Sequence, residues 1–83
     1  EEFISDVNSN PDNHESRFKL AEAFLANHQK EEAIEHLLTI VKKNRDWQDD
    51  KARKKIIALL EAFGEEDPLT SETRLKLSSI LFS

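Results

Sequence analysis

This sequence predicts an all-α fold of stacked antiparallel helix hairpins, a right-handed α-solenoid fragment with about four main helices after a short N-terminal helical tail. Three observations carry that prediction. Apolar residues recur at helical spacing in successive segments. The breaks between segments are short and polar, which folds neighbouring helices back antiparallel. Charged residues make up 35% and hydrophobic residues 37% of 83, with one glycine and two prolines, a balance that suits solvated amphipathic helices better than strands or disorder. A chain of this size buries only about 60% of the surface its unfolded form exposes. Its core is therefore expected to be thin, and a hairpin in it to rely on stacked neighbours.

Residues 1–9 place Phe3, Ile4 and Val7 on one apolar face, as expected for the end of a preceding repeat helix. A start at Glu1 rather than Met, directly before that face, is expected of a piece of a longer chain. Residues 10–44 then write the best-formed hairpin. Pro11 pushes Asn10 towards extended geometry, and Asp12, with Glu15 three residues on, reads as a capping box for a helix from Asn13 to Asn27. At 100° per residue Phe18, Leu20, Ala21, Phe24 and Leu25 share an arc of about 160°, leaving Glu15, Lys19, Glu22 and Ala26 to solvent. Asn27, His28 and Gln29 form a polar turn. Glu31 and Glu32 open the next helix and Lys42 and Lys43 close it, each sign matched to the helix dipole. Between them Ala33, Ile34, Leu37, Leu38, Ile40 and Val41 form a face that packs on the first helix, with Ala21 and Ala33 letting the backbones approach.

Residues 45–83 read as a second, degenerate hairpin. Arg45, Asp46 and Trp47 belong to a connection too polar to continue a helix, after which Asp49 or Asp50 caps a helix reaching Phe63. Its inward residues are Ala52, Ile56, Leu59, Leu60 and Phe63, with Ile57 at the edge, and Gly64 stops it. Asp67 caps the last helix and Pro68 occupies its first position, where a missing amide hydrogen costs nothing. That helix runs to about Phe82. Leu69, Thr73, Leu77, Ile80 and Leu81 face inward, whereas Leu75 and Phe82, seven residues apart, point nearly opposite. An apolar pair turned away from the core commonly marks a docking surface, and contact with a missing domain or simple tolerance of exposed Leu and Phe explains the same pattern.

Other residues carry two readings each. Arg17 projects into the apolar arc of the first helix, either to bind a partner or to lay its stem on apolar surface and pair its head with a carboxylate of the adjoining hairpin. Trp47 is either a ligand platform or an anchor over neighbouring helix ends. Lys51, Arg53, Lys54 and Lys55 crowd a helix start, the unfavourable end for positive charge. They form either a contact for an acidic partner or a solvated patch neutralised by Asp46, Asp49 and Asp50.

Charge and composition exclude several functions. Net charge is −5 with a pI near 5.1, and the chain is strongly acidic through residue 41 and slightly basic afterwards. Nucleic-acid binding, which needs a basic face to displace counterions, is not expected. Without cysteine there is no disulfide and no thiolate metal site, in keeping with a cytoplasmic protein. No apolar run approaches the roughly 18 residues of a membrane span, so no membrane partner is expected. His14, His28 and His36 lack ligand spacing, the serines lack a nucleophile-elbow context, and one glycine builds no phosphate loop. No catalytic, metal or cofactor role is read in the sequence.

The hairpin of residues 10–44 resembles a tetratricopeptide repeat. Over nearly the whole chain, RF-x-LA at 17–21, EEAIEHLL at 31–38, RDW at 45–47, ARKK at 52–55, DPL at 67–69 and R-x-x-LSSILF at 74–82 resemble the C-terminal tetratricopeptide domain of bacterial thioredoxin-like co-chaperones, the chaperedoxins. That resemblance implies an N-terminal thioredoxin-like domain before the helices, holdase activity towards unfolded client proteins, and docking of the last helix on the chaperonin. By position it nominates Arg74, Leu75, Ser78, Ser79, Ile80, Leu81 and Phe82 as chaperonin-facing. Two departures stand out. Arg17 occupies a place where many repeats have a large aromatic, and few signature residues remain in the second hairpin. Repeats that clamp a partner's terminal carboxylate present Lys and Asn on their inner helices. Here the corresponding groove residues are Glu15, Phe18, Lys19 and Glu22, whose acidic members would repel such a ligand. A spacer that orients the thioredoxin-like domain, or a scaffold for another protein, is the alternative function.

Overall fold

The computed structural model describes residues 13–82. The apolar stretch of residues 1–9, Pro11 and Asp12 lie outside them. Among the described residues the chain forms four helices: α1 (His14–Ala26), α2 (Lys30–Lys43), α3 (Lys51–Phe63) and α4 (Pro68–Leu81). Strands are absent among these residues, and the four sequence-predicted helices appear within a residue or two of their expected ends.

Helix α1 starts one residue later than the capping-box reading placed it. Asn13 holds the capping position, and its Oδ1 accepts a hydrogen bond from the Ser16 amide at 3.1 Å. At the other end His28 takes a left-handed conformation (φ 61°), the Gln29 amide donates to the Phe24 carbonyl at 2.8 Å and the His28 amide to that of Leu25 at 3.0 Å. This pair of bonds closes the orphan carbonyls of a helix end in the Schellman arrangement, with His28 where glycine is usual. The turn is thereby short and fixed, and α2 returns antiparallel along α1.

Helix α2 is the hub. It packs most extensively on α1, then on α3 and α4. Ala33, Ile34, Leu37, Leu38, Ile40 and Val41 are all buried, with Leu37 and Ile40 fully inaccessible. From α1 they meet Phe18 and Ala21, from α3 Ala52, Ile56 and Leu60, and from α4 Leu77 in a single core cluster. A helix contacted on three sides needs the wide apolar face that the sequence writes at 33–41.

The connection between α2 and α3 departs from expectation in one respect. Asp50 stands before α3, but it, Gln48 and Asp49 all adopt positive φ, between 50° and 65°, and neither its side chain nor any other supplies an N-cap bond. A capping side chain reaches the first-turn amides from an extended backbone; from the left-handed region Asp50 turns instead to Arg53, Oδ2 to Nη2 3.2 Å, and Asp49 approaches Lys54 at 3.8 Å. The acidic residues thus offset the misplaced basic start of α3 as charges rather than as caps. Trp47 anchors this connection, half-buried, with Phe18 at 5.6 Å and His14 edge-on at 6.0 Å between ring centroids. The Lys51 ammonium covers the Phe18 ring at 4.6 Å, a cation–π contact.

Gly64 ends α3 at φ 88°, ψ 161°, a region essentially closed to residues with a Cβ. Its carbonyl accepts a bond of 2.8 Å from Thr70 Oγ1, and Thr70 is wholly buried. Asp67 caps α4 as expected, Oδ1 accepting the Leu69 amide at 3.0 Å, with Pro68 at the first turn. Its other oxygen, Oδ2, takes Lys30 Nζ at 2.6 Å, and the same ammonium lies 4.6 Å from the Phe63 ring centre, so Lys30 joins the starts of α2 and α4 to the end of α3. Helix α4 packs more on α2 than on α3, its own hairpin partner, which leaves a seam open between α3 and α4.

Two stability measurements follow. Leu37→Ala, at the centre of the hub, is expected to cost about 2–5 kcal/mol in urea unfolding, enough to leave so small a domain marginal. Gly64→Ala is expected to cost about 1–3 kcal/mol although no atom lies within 4 Å of the added Cβ. A neutral Gly64→Ala variant would show that the backbone there relaxes freely.

Candidate functional site

The residues nominated at the C-terminal end divide by flank. At 100° per residue the crest of α4 carries Leu75 and Phe82, its α3-facing flank Arg74, Ser78 and Leu81, and its α2-facing flank Ser79 and Ile80. Leu75 is 74% and Phe82 86% exposed, the largest exposures of any large hydrophobic side chain among the described residues. The α3-facing flank borders a groove of about 280 Å³, where Ile57, Leu60, Leu77, Leu81 and Phe82 supply apolar walls and Arg74, Ser78 and Glu61 the polar rim. Ile57, at 41% exposure, extends the apolar surface onto α3. The open α3–α4 seam and the two-sided apolar pattern of α4 together make this groove.

Arg74 is held rather than free on that rim. Its guanidinium makes a bidentate pair with Glu65 at 2.6 and 2.7 Å, and the hydrogen bonds and charge of Arg74 draw the Glu65 carboxyl below its ordinary pKa. A partner carboxylate reaching Arg74 must compete with Glu65.

The other flank of α4 faces a larger groove, about 740 Å³, against α2. Ser79 and Ile80 line it together with Leu38, Val41, Glu35, Lys42, Arg45 and Lys76. The nominated residues thus border two grooves, Ser79 and Ile80 one and Arg74, Ser78 and Leu81 the other. No sequence pattern signalled the second groove, since its basic residues come from segments more than thirty residues apart.

Of the groove residues nominated on α1, three are exposed and one is buried. Glu15, Lys19 and Glu22 are exposed, with Glu15 and Lys19 at 3.8 Å, but Phe18 is buried and packs on Trp47. Burying an aromatic ring under Trp47 and Lys51 stabilises the α1–α3 contact, which removes Phe18 from any ligand surface.

Arg17 is half-buried, and its Nη1 lies 3.0 Å from Nδ1 of His36. The guanidinium can only donate, so the His36 ring accepts at Nδ1 and is neutral, its proton on Nε2. His36 also stacks on Phe24, 5.5 Å between centroids and 7° from parallel. Burial first, then the Arg17 charge, hold the imidazole below its ordinary 6.5, against a smaller upward pull from Glu35. Arg17 thus ties α1 to α2.

This bond has a pH signature. Because folding lowers the His36 pKa, the unfolded chain binds more protons in the window between the folded value and 6.5. The stability it confers is whole above 6.5 and declines as pH falls through the folded value. Urea midpoints taken between about pH 7 and pH 5 are expected to fall with acid in the natural chain and to flatten in His36→Gln; an identical slope in both would remove His36 as the cause.

Among the described residues no group of three or more His, Cys, Asp and Glu could hold a metal ion, and no helix is long and apolar enough to cross a membrane. A family model described as tetratricopeptide repeat matches residues 1–82. No curated protein matches the sequence.

Proposed function

The chain belongs to the tetratricopeptide-repeat family, whose members are in general protein-interaction modules, and we propose that it docks onto the chaperonin through α4 as the interaction domain of a thioredoxin-like co-chaperone. The observation that carries this reading is the exposed apolar crest of Leu75 and Phe82 beside the Ile57–Leu81 groove. Apolar side chains this exposed on one side of a helix lose water contact only when a partner covers them, and a ring the size of Phe82 is a natural anchor. The motif resemblance over residues 17–82 supplies the partner: the chaperonin, with unfolded clients held by the same protein and a thioredoxin-like domain in the same polypeptide. In this arrangement Leu75 and Phe82 enter an apolar partner surface, Leu81 and Ile57 widen the contact, and Ser78 and Arg74 form its polar rim.

The test is a pull-down of this chain with chaperonin. Leu75→Asp and Phe82→Asp are each expected to weaken binding at least tenfold, about 1.4 kcal/mol, without changing the helical circular dichroism, because neither side chain is in the core. Full binding by both folded variants would reject this crest as the docking element and favour the orienting-spacer reading.

A further inference from the structure

The α2–α4 groove lies on the opposite flank of α4 from the proposed chaperonin face, and its chemistry is different. Half-buried Ile80 and the edges of the nearly buried Leu38 and Val41 line its floor, and Lys42, Arg45 and Lys76 stand over it against the single carboxylate of Glu35. On a chain of net charge −5 this is a locally basic place. Its two ends are unlike. At one, Lys76 Nζ meets Glu35 Oε1 at 3.1 Å, and Glu72 and Glu31 add to the negative field there. At the other, Lys42 has no carboxylate partner among the described residues, and Arg45 makes one long bond of 3.4 Å to the Ile80 carbonyl. From Glu35 to Lys42 along α2 the groove spans about 10 Å, two helical turns.

We infer that this groove docks an acidic amphipathic helix of a partner protein, its apolar side chains on Ile80 and its carboxylates on Lys42 and Arg45. The apolar floor between two helices is the surface that helix-in-groove recognition uses. The cations at one end, without a carboxylate among the described residues, select acidic side chains and set the direction in which the helix lies, with its acidic end at Arg45 and away from Glu35. Charge complementarity excludes a basic helix on the same floor, which would meet Lys42 and Arg45 without partners. The inference does not rest on the chaperonin reading, because it uses neither Leu75 nor Phe82.

The experiment is a fluorescence-anisotropy titration of the folded chain with a labelled synthetic peptide of about three helical turns, Leu along one face and Glu on the other. A second peptide has the same Leu positions and Lys for Glu. The acidic peptide is expected to bind and the basic one to bind at least tenfold more weakly. The double variant Lys42→Glu/Arg45→Glu is expected to lose at least tenfold for the acidic peptide, Lys42→Gln/Arg45→Gln to fall between, and Phe82→Asp to match the natural chain. Absence of binding, equal binding of the two peptides, or indifference to the Lys42 and Arg45 changes would overturn the inference. Loss of acidic-peptide binding in Phe82→Asp alone would move the site to the other flank and equally overturn it.

Discussion

Burial of α2 on three sides is the constraint on which the rest of this structure depends. Among the described residues the face from Ala33 to Val41 is the one that touches α1, α3 and α4 together, and its central side chains lose all contact with water. Every other helix has a narrower buried stripe and is placed by what it presents to α2. In a domain this small, where net stability is a slight excess of burial over chain entropy, the hub also decides what the remaining surfaces are allowed to be. Residues not needed against α2 are left to face solvent or partners.

Helix α4 shows that consequence most plainly. It is held by Leu77, Thr73 and Thr70 on its inner side, by the Asp67 cap that also takes Lys30, and by Lys76 reaching Glu35. These attachments favour α2 over α3 and leave a seam on each flank of the helix. One seam is apolar with a neutralised arginine at its rim, and the other is apolar with cations at one end. Two grooves of unlike chemistry on the two sides of a single helix allow two different partners to be recognised without sharing side chains. Polar ties of this kind are mostly exposed and individually weak, so they set the angle of α4 more than its stability.

Much of this was legible in the residues themselves. Period and punctuation located the helices: Gly64 ends α3 because its backbone angles suit only glycine, and Asp67–Pro68 begins α4 as the cap and first-turn rules require. The outward turn of Leu75 and Phe82 also follows from counting, since seven residues return a helix to nearly the same side. What escaped the sequence depends on tertiary geometry. Asp50 has the right identity for a cap, but three successive left-handed residues aim it elsewhere. Arg17 bonds His36 19 positions away, a pairing that residue spacing does not announce. Thr70 reads as polar yet is buried because one hydroxyl bond to Gly64 satisfies it. Phe18 read both as core and as groove, and Trp47 decides the matter for the core. The basic end of the α2–α4 groove arises only when Lys42 and Arg45 are brought beside Ile80.

The central claim is that the first hairpin organises the fold while recognition belongs to α4. Amide hydrogen exchange of the chain alone and with chaperonin tests it most directly. The account predicts the strongest protection in α2 in both states, and on adding chaperonin a gain confined to residues 74–82 and the neighbourhood of Ile57. Protection appearing instead along the exposed side of α1, at Glu15, Lys19 and Glu22, would contradict it.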